Sequence, residues 1–307
     1  DPNETGLVGS LFSLITTDEG DLDAKLTTLD PNFAAGIVEL LVKMNLQKGD
    51  TLAVLLTGSM PGANIAVLSA AKTLGLVVKS ITSVGASQWG ANNVDFTWLD
   101  MEEILYSNNF IDQKSIAASI GGRNDMGRLL SPEGRRIILE NIKKHNIPVI
   151  KNNKLAENIE QRMKIFSGFL DIQKYSAMIN VGGGVASLGT SFNSKLLKAG
   201  IVNRSDVLDI SLREGGIEGV LSKFSMKNIP VLHVLNIKSL IDQLNMPFAP
   251  IPLPEIGSGD LYAEKTYNTK IAGVCLFIVS CCVFLVGYQS KKRIKEHLTD
   301  HEPDSLL

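Results

Sequence analysis

The chain has 307 residues, of which 44% are hydrophobic and 20% charged, and its formal net charge is −2. A chain of this length can bury a core of its own. The slightly acidic charge balance excludes a general electrostatic surface for nucleic acid, so a polyanion would have to be bound by a local pocket.

Cysteine and histidine usage limits the chemistry further. All three cysteines, Cys275, Cys281 and Cys282, lie in one apolar C-terminal segment, so disulfides do not stabilise the rest of the chain. Only His145 and His233 lie outside the C-terminal tail, too few ligands for a histidine-based metal site. We therefore predict no metal and no cofactor.

Residues 1–29 are predicted to form an N-terminal segment. The apolar stretch Leu7–Ile15 and the acidic stretch Asp18–Asp23 indicate a short helix and a loop. The first residue is Asp1 rather than Met, which is compatible with a signal peptide or a first membrane helix ahead of it, and the sequence leaves both open.

Residues 30–245 are predicted to form an α/β ectodomain. Asp30 and Pro31 suit the cap and first position of a helix. A strand at 51–56, a helix at 63–74 and a strand at 77–82 then form a βαβ unit. The same alternation predicts strands at 114–120, 148–150, 177–181 and 231–235, and helices at 131–145, 155–169, 218–226 and 237–244. The expected fold is a mostly parallel sheet between two layers of helices, like sugar-isomerase (SIS) or Rossmann domains.

The C-terminal part is predicted to anchor the chain. Residues 246–270 are rich in proline and glycine and suit an extended stalk. Residues 271–290 carry no charge and are long enough for a transmembrane helix. Basic residues cluster at the start of the 291–307 tail, so the positive-inside rule places this tail in the cytoplasm and the ectodomain outside.

Polar and glycine-rich segments follow the predicted strands. Ligands of open α/β sheets bind beyond the carboxyl ends of the strands, so these segments are expected to meet at one edge. The candidate anion- or polymer-binding residues are Thr57, Gly58, Ser59, Ser83, Arg123, Asn124, Asp125, Arg128, Gly182, Gly183 and Gly184.

The first of these segments, Thr57–Ser59, precedes a helix whose free N–H groups favour an anion. Ser59 is expected either to bind an anion or to cap that helix. The segment lacks the lysine of a P-loop and is not Gly-x-Ser-x-Gly, so neither nucleotide binding of that type nor a serine hydrolase with a nucleophile elbow is indicated.

The loop GGRNDMGR at 121–128 combines two arginines with an amide and a carboxylate. It suits either a site for a planar anion, with Arg123 as the contact and Asp125 orienting it, or a solvated turn. Gly182–Gly184 suit either close approach of a ligand or a plain strand–helix turn. His233 lies in an apolar strand and is expected to be a hydrogen-bonded core residue.

These segments carry a resemblance to a known family. TGSMPGAN at 57–64, TSVGAS at 82–87, WGA at 89–91, GGRNDMG at 121–127 and NVGGG at 180–184 resemble, in the same order, the poly-γ-glutamate system protein family. The resemblance runs from about Asp30 to Leu235. The unit between Gly49 and Gly75 also resembles SIS domains that bind phosphosugars.

The resemblance implies an accessory membrane component of a bacterial poly-γ-glutamate synthesis or export system. The implied partners are the polymer, other membrane subunits of the system and the lipid bilayer. It assigns no catalytic residues, and whether the chain is an enzyme stays open. Two alternatives remain: an enzyme that cleaves or transfers the γ-glutamyl polymer, with Ser59 or a carboxylate taking part, and a phosphosugar-binding module.

Overall fold

A computed structural model describes residues 1–190, 193–211, 218–262 and 269–299. The strands are β1 (Thr51–Thr57), β2 (Val77–Ser83), β3 (Asn92–Asn93), β4 (Phe96–Thr97), β5 (Ala117–Ser119), β6 (Val149–Ile150), β7 (Ala177–Val181), β8 (Gly200–Val202) and β9 (Val231–Val234). The helices are α1 (Leu22–Thr27), α2 (Asn32–Lys43), α3 (Pro61–Thr73), α4 (Trp98–Ser107), α5 (Pro132–Lys144), α6 (Leu155–Phe169), α7 (Val185–Leu188), α8 (Asn193–Leu196), α9 (Arg204–Ser211), α10 (Val220–Met226), α11 (Ile237–Gln243) and α12 (Thr269–Thr299).

Seven strands form one sheet in the order β6-β5-β2-β1-β7-β9-β8. Every neighbouring pair is parallel except β8 and β9, which are antiparallel at one edge. β3 and β4 form a separate antiparallel pair. The predicted α/β fold with a mostly parallel sheet is therefore confirmed.

Both faces of the sheet are covered by helices. Along β1, Leu52, Val54 and Leu56 join the core formed with α2, α3, α5 and α11, whereas Ala53 and Leu55 join the core formed with α6 and α10. All five residues are buried. A strand that is buried on both faces has a continuous apolar sequence, as TLAVLL has, rather than an alternating one.

The N-terminal segment differs from its prediction. Residues 7–15 form no helix but pair with residues 86–92 through backbone hydrogen bonds such as Gly9 N–H to Trp89 O at 3.2 Å and Trp89 N–H to Ser10 O at 3.0 Å. The Asn92 side chain bonds both the N–H and the carbonyl of Ser10. The segment therefore belongs to the α/β unit, because its polar backbone is paired with that unit.

The predicted stalk also differs in its first part. Residues up to Tyr262 belong to the same unit as the sheet, which spans Asp1–Tyr262. Asn32 accepts hydrogen bonds from the Gly257 N–H and the Tyr262 hydroxyl and donates one to the Glu255 carbonyl. Residues 263–268 of the predicted stalk lie outside the described residues.

The second unit, Ala263–Leu307, contains α12. Thr269–Leu298 is long and apolar enough to cross a membrane, with a mean hydropathy of 2.5 in its most apolar window. This agrees with the predicted helix at 271–290 and extends it by about two turns at the basic end. Residues 300–307 of the predicted tail lie outside the described residues.

We predict that a chain ending at Tyr262 is recovered in the soluble fraction, because it lacks the apolar helix that would be buried in lipid. The full chain should remain in the membrane fraction after alkaline carbonate washing. Fractionation followed by immunoblotting compares the two. Retention of the shortened chain in washed membranes would show that another segment holds it there.

Candidate functional site

The strand order reverses between β1 and β7. From β1 the chain passes through α3 to β2 on one side, whereas β7 lies on the other side of β1. Connections that diverge in this way leave a crevice at the carboxyl ends of the strands. A cleft of about 800 Å³ opens there, within the size range of small-molecule sites.

Most of the candidate residues line this cleft. Those on its wall are Thr57, Ser59, Ser83, Arg123, Asn124, Gly182, Gly183 and Gly184. Gly58, Asp125 and Arg128 are not part of the lining. The structure thus brings together loops that follow β1, β2, β5 and β7, which are far apart in the sequence.

Thr57 and Gly182 come into close contact where β1 and β7 end. Gly182 has a φ of +86°, and a Cβ on it would lie 2.3 Å from Thr57 Oγ1, so only glycine fits. The Thr57 hydroxyl is buried and has no hydrogen-bond partner within the described residues. Thr57 lines the cleft, so this unpaired hydroxyl lies just behind the cleft wall.

Asp125 does not orient Arg123, contrary to the prediction. Its carboxylate is buried and pairs with Arg162 of α6, with 2.7 Å between Arg162 Nη1 and Asp125 Oδ2 and 3.0 Å between Arg162 Nη2 and Asp125 Oδ1. Arg162 is only 1% exposed. A buried guanidinium requires a countercharge, and its bidentate geometry selects the planar carboxylate.

Two serines complete this buried network. Arg162 Nη2 donates to Ser119 Oγ at 2.7 Å, and the Ser119 hydroxyl donates to Asp125 Oδ1 at 2.7 Å. Ser83 Oγ lies 3.2 Å from Ser119 Oγ and also faces the cleft. The network connects four parts of the chain: the end of β2, the end of β5, the loop that follows β5, and helix α6. It therefore fixes the position of the loop that carries Arg123.

Arg123 and Arg128 differ in position, although both are exposed. Arg123 lines the cleft and makes no ion pair within the described part of the chain, so its guanidinium is available to an anion. Arg128 was predicted to contact the ligand, but it does not line the cleft.

The N-terminal segment supplies a wall that the sequence did not predict. Lys25 of α1 lines the cleft and is only 6% exposed. Its Nζ donates to Ser87 Oγ at 3.1 Å, and no carboxylate pairs with it among the residues described. Burial lowers the pKa of the Lys25 ammonium to about 8, and the charge of Asp21 partly opposes this effect.

The cleft is lined by charges of both signs. Asp18, Glu19 and Asp21 lie on the wall with Lys25, and Lys238 and Arg123 line other parts. Any anionic ligand must therefore contact the cations while keeping away from residues 18–21. Such a cleft binds through particular contacts rather than through a general positive field.

Ser59 does not cap α3, and its role as an anion contact stays a prediction. No side chain caps α3, and Ser59 Oγ instead accepts a hydrogen bond from the Ser87 N–H at 2.9 Å. Ser59 therefore fixes the segment after β2 against the turn after β1. Its side chain still lines the cleft beside Met60.

The two histidines of the first unit are structural. His233 is fully buried and bonds the Asn180 side chain at 2.9 Å, as predicted for a core histidine, and burial lowers its pKa to about 4. His145 bonds Asp100 at 2.9 Å, away from the cleft. Across residues 1–190, 193–211, 218–262 and 269–299, no three histidine, cysteine or acidic side chains converge on a possible metal position.

No protein-family model, curated protein or solved structure matches the chain. The function must therefore be argued from the cleft and its residues.

The buried pair gives a stability prediction. We expect Arg162→Met to lower the free energy of unfolding by about 3–5 kcal/mol, because it leaves the Asp125 carboxylate buried without a countercharge. Adding Asp125→Asn should recover part of the loss. The control is Arg136→Met, which removes exposed ion pairs with Glu133 and Glu140 and should have little effect. Denaturant unfolding of the full chain in detergent measures all three, and equal losses in the two arginine variants would contradict the assignment.

Lys25 gives a prediction with a defined pH dependence. Its folded-state pKa of about 8 lies below the ordinary 10.5, so the unfolded chain binds the proton more tightly. Burying the charged Lys25 therefore lowers the free energy of unfolding by about 3 kcal/mol below pH 8. This loss disappears as the pH rises towards 10.5.

Lys25→Met should therefore raise the free energy of unfolding at pH 7, and its advantage over the wild type should shrink between pH 8 and pH 10.5. The exposed Lys143→Met is the matched control and should follow the wild type at every pH. A wild-type stability that does not rise in this pH window would show that Lys25 is not held in a desolvated position.

Proposed function

We propose that the chain is a membrane-anchored accessory component of a bacterial poly-γ-glutamate synthesis or export system, and that its cleft binds the polymer. The observation that carries the proposal is Lys25, a buried cation on the cleft wall without a carboxylate partner in the described residues. Burying a charged group without a partner is unfavourable, so such a group is expected where a bound ligand supplies the missing partner.

The other cleft residues match the chemistry of such a polymer. Each γ-linked glutamate carries one free carboxylate and one backbone amide. Arg123 and Lys25 suit the carboxylates, and the Thr57 hydroxyl suits an amide. The Gly183 and Gly184 N–H groups have no partner among the described residues and add donors for carboxylate or carbonyl oxygens.

The acidic residues of the wall restrict how the polymer binds. Asp18, Glu19 and Asp21 repel a polyanion, so an α-carboxylate must be directed towards Lys25 or Arg123. Repulsion on one side and attraction on the other give a binding register rather than loose adsorption. A polymer with differently spaced carboxylates, such as α-linked polyglutamate, cannot satisfy the same set of contacts.

The anchor supports a location at the membrane surface. α12 is long and apolar enough to cross a bilayer, and Lys291, Lys292, Arg293 and Lys295 follow its apolar part. By the positive-inside rule this end is cytoplasmic, so the cleft faces the outside, where an exported polymer emerges. Other membrane subunits of the system are the expected partners of the helix.

We predict that the full chain in detergent binds poly-γ-glutamate saturably and prefers it to α-linked polyglutamate and to a sugar phosphate. Arg123→Ala should weaken this binding about ten- to a hundredfold, the value of one charge-assisted hydrogen bond. Arg128→Ala is the matched control from the same loop and should change the affinity little, because Arg128 lies outside the cleft.

Isothermal calorimetry at a fixed salt concentration gives the affinities. Equal losses for Arg123→Ala and Arg128→Ala would mean that the polymer binds the outer surface of the loop. Tighter binding of the sugar phosphate would support a phosphosugar module in place of a polymer site.

A further inference from the structure

Lys25 and Ser87 form an isolated pair at the cleft wall. The Lys25 Nζ lies 3.1 Å from the Ser87 Oγ, and the two residues are 6% and 8% exposed. Both line the cleft, and the Ser87 hydroxyl has no other partner within the described ranges. Other described lysines pair with carboxylates, as Lys114 does with Glu103 and Lys223 with Glu160, or with an amide oxygen, as Lys79 does with Gln113.

The electrostatics of the pair suit proton transfer. Burial lowers the pKa of Lys25 to about 8, so about a tenth of the amine is neutral at pH 7. A neutral amine at this distance accepts the hydroxyl proton, and a desolvated lysine next to a serine is a known general base. The charged groups that share the cleft with the pair are Asp18, Glu19, Asp21, Arg123 and Lys238.

The surrounding backbone holds the two side chains in place. The Ser87 N–H donates to Ser59 Oγ, and the Gln88 N–H donates to the Asp18 carbonyl at 3.0 Å. A Cβ on Gly20 would lie 2.2 Å from the Gln88 carbonyl and 3.0 Å from Ser87 Oγ, so a glycine is needed for the two segments to approach. The Ser59 N–H has no partner among the described residues, which leaves a donor for an oxyanion on the adjoining turn.

We propose that Ser87 is a nucleophile and Lys25 its general base, and that the pair cleaves or transfers γ-glutamyl amide bonds of a polymer held in the cleft. The substrate class rests on the proposed function. The pair itself rests on the geometry of the two side chains.

The reaction has two steps. In the first, neutral Lys25 takes the Ser87 hydroxyl proton as Oγ bonds to the amide carbonyl carbon, and the ammonium then gives that proton to the leaving nitrogen as the C–N bond breaks. This leaves an ester on Ser87 and releases one part of the polymer with a free amine. In the second, Lys25 takes a proton from water or an incoming amine, which attacks the ester, and Ser87 Oγ leaves with the proton.

A fluorophosphonate probe tests the pair in the full chain in detergent. It should form an adduct on Ser87, located by peptide mass spectrometry, at a rate that rises as pH passes through about 8. Ser87→Ala should abolish the adduct, and Ser258→Ala, at an exposed position, should not change it. Poly-γ-glutamate incubated with the wild type should shorten or exchange its ends, and with Ser87→Ala it should not.

Lys25→Arg separates base catalysis from anion binding, because arginine keeps the positive charge but does not accept the proton. It should label at least about 100-fold more slowly than the wild type. Lys25→Met, checked for folding by its thermal transition, should also fail to label.

The outcomes are distinguishable. No Ser87 adduct between pH 7 and pH 9 in a wild type that binds the polymer would overturn the nucleophile and leave the binding function intact. Normal labelling of Lys25→Arg would overturn the role of Lys25 as base. A Ser87 adduct that depends on Lys25, in a chain that neither binds nor shortens the polymer, would support the pair and reject the polymer as its substrate.

Discussion

Arg162 and Asp125 form an almost wholly buried ion pair behind the cleft wall, and the shape of the wall depends on it. The aspartate belongs to the loop after β5 and the arginine to α6, so one pair of charges joins a loop to the helix layer. Ser119 binds both partners from the end of β5. Because a buried charge is costly when it is unpaired, alternative positions of this loop are excluded, and Arg123 is held at the edge of the cleft.

The N-terminal segment completes the site and also places an unfavourable charge there. Its backbone pairs with residues 86–92, so α1 is carried to the cleft and Lys25 is enclosed beside Ser87. Unlike Arg162, Lys25 receives no carboxylate within the described chain. Arg162 is fully paired and therefore stabilises the fold, whereas Lys25 contacts only one hydroxyl. A buried cation with so few partners is expected where a ligand binds or a reaction takes place.

The sequence predicted the sheet well because its signals are local. The apolar run of β1 and the bounds of α6 and β7 follow from periodicity and from flanking glycine or polar residues. The rule that loops meet at the carboxyl edge also predicted Thr57, Ser83 and Gly182 as neighbours. Arg162 and Lys25 were missed because each lies in an ordinary helical sequence, and only the tertiary fold buries them. The same limit explains why residues 7–15 were predicted as a helix: the segment that they pair with, residues 86–92, is remote in the sequence.

Hydrogen–deuterium exchange of the full chain, with and without poly-γ-glutamate, tests most directly whether this cleft is the ligand site. The account predicts that bound polymer slows amide exchange in residues 17–25, 57–60 and 182–185, which line the cleft, and leaves residues 133–140 and the exposed segment around Phe12 unchanged. Protection confined to those outer segments, or none at saturating polymer, would contradict the account and place the ligand or partner surface elsewhere on the chain.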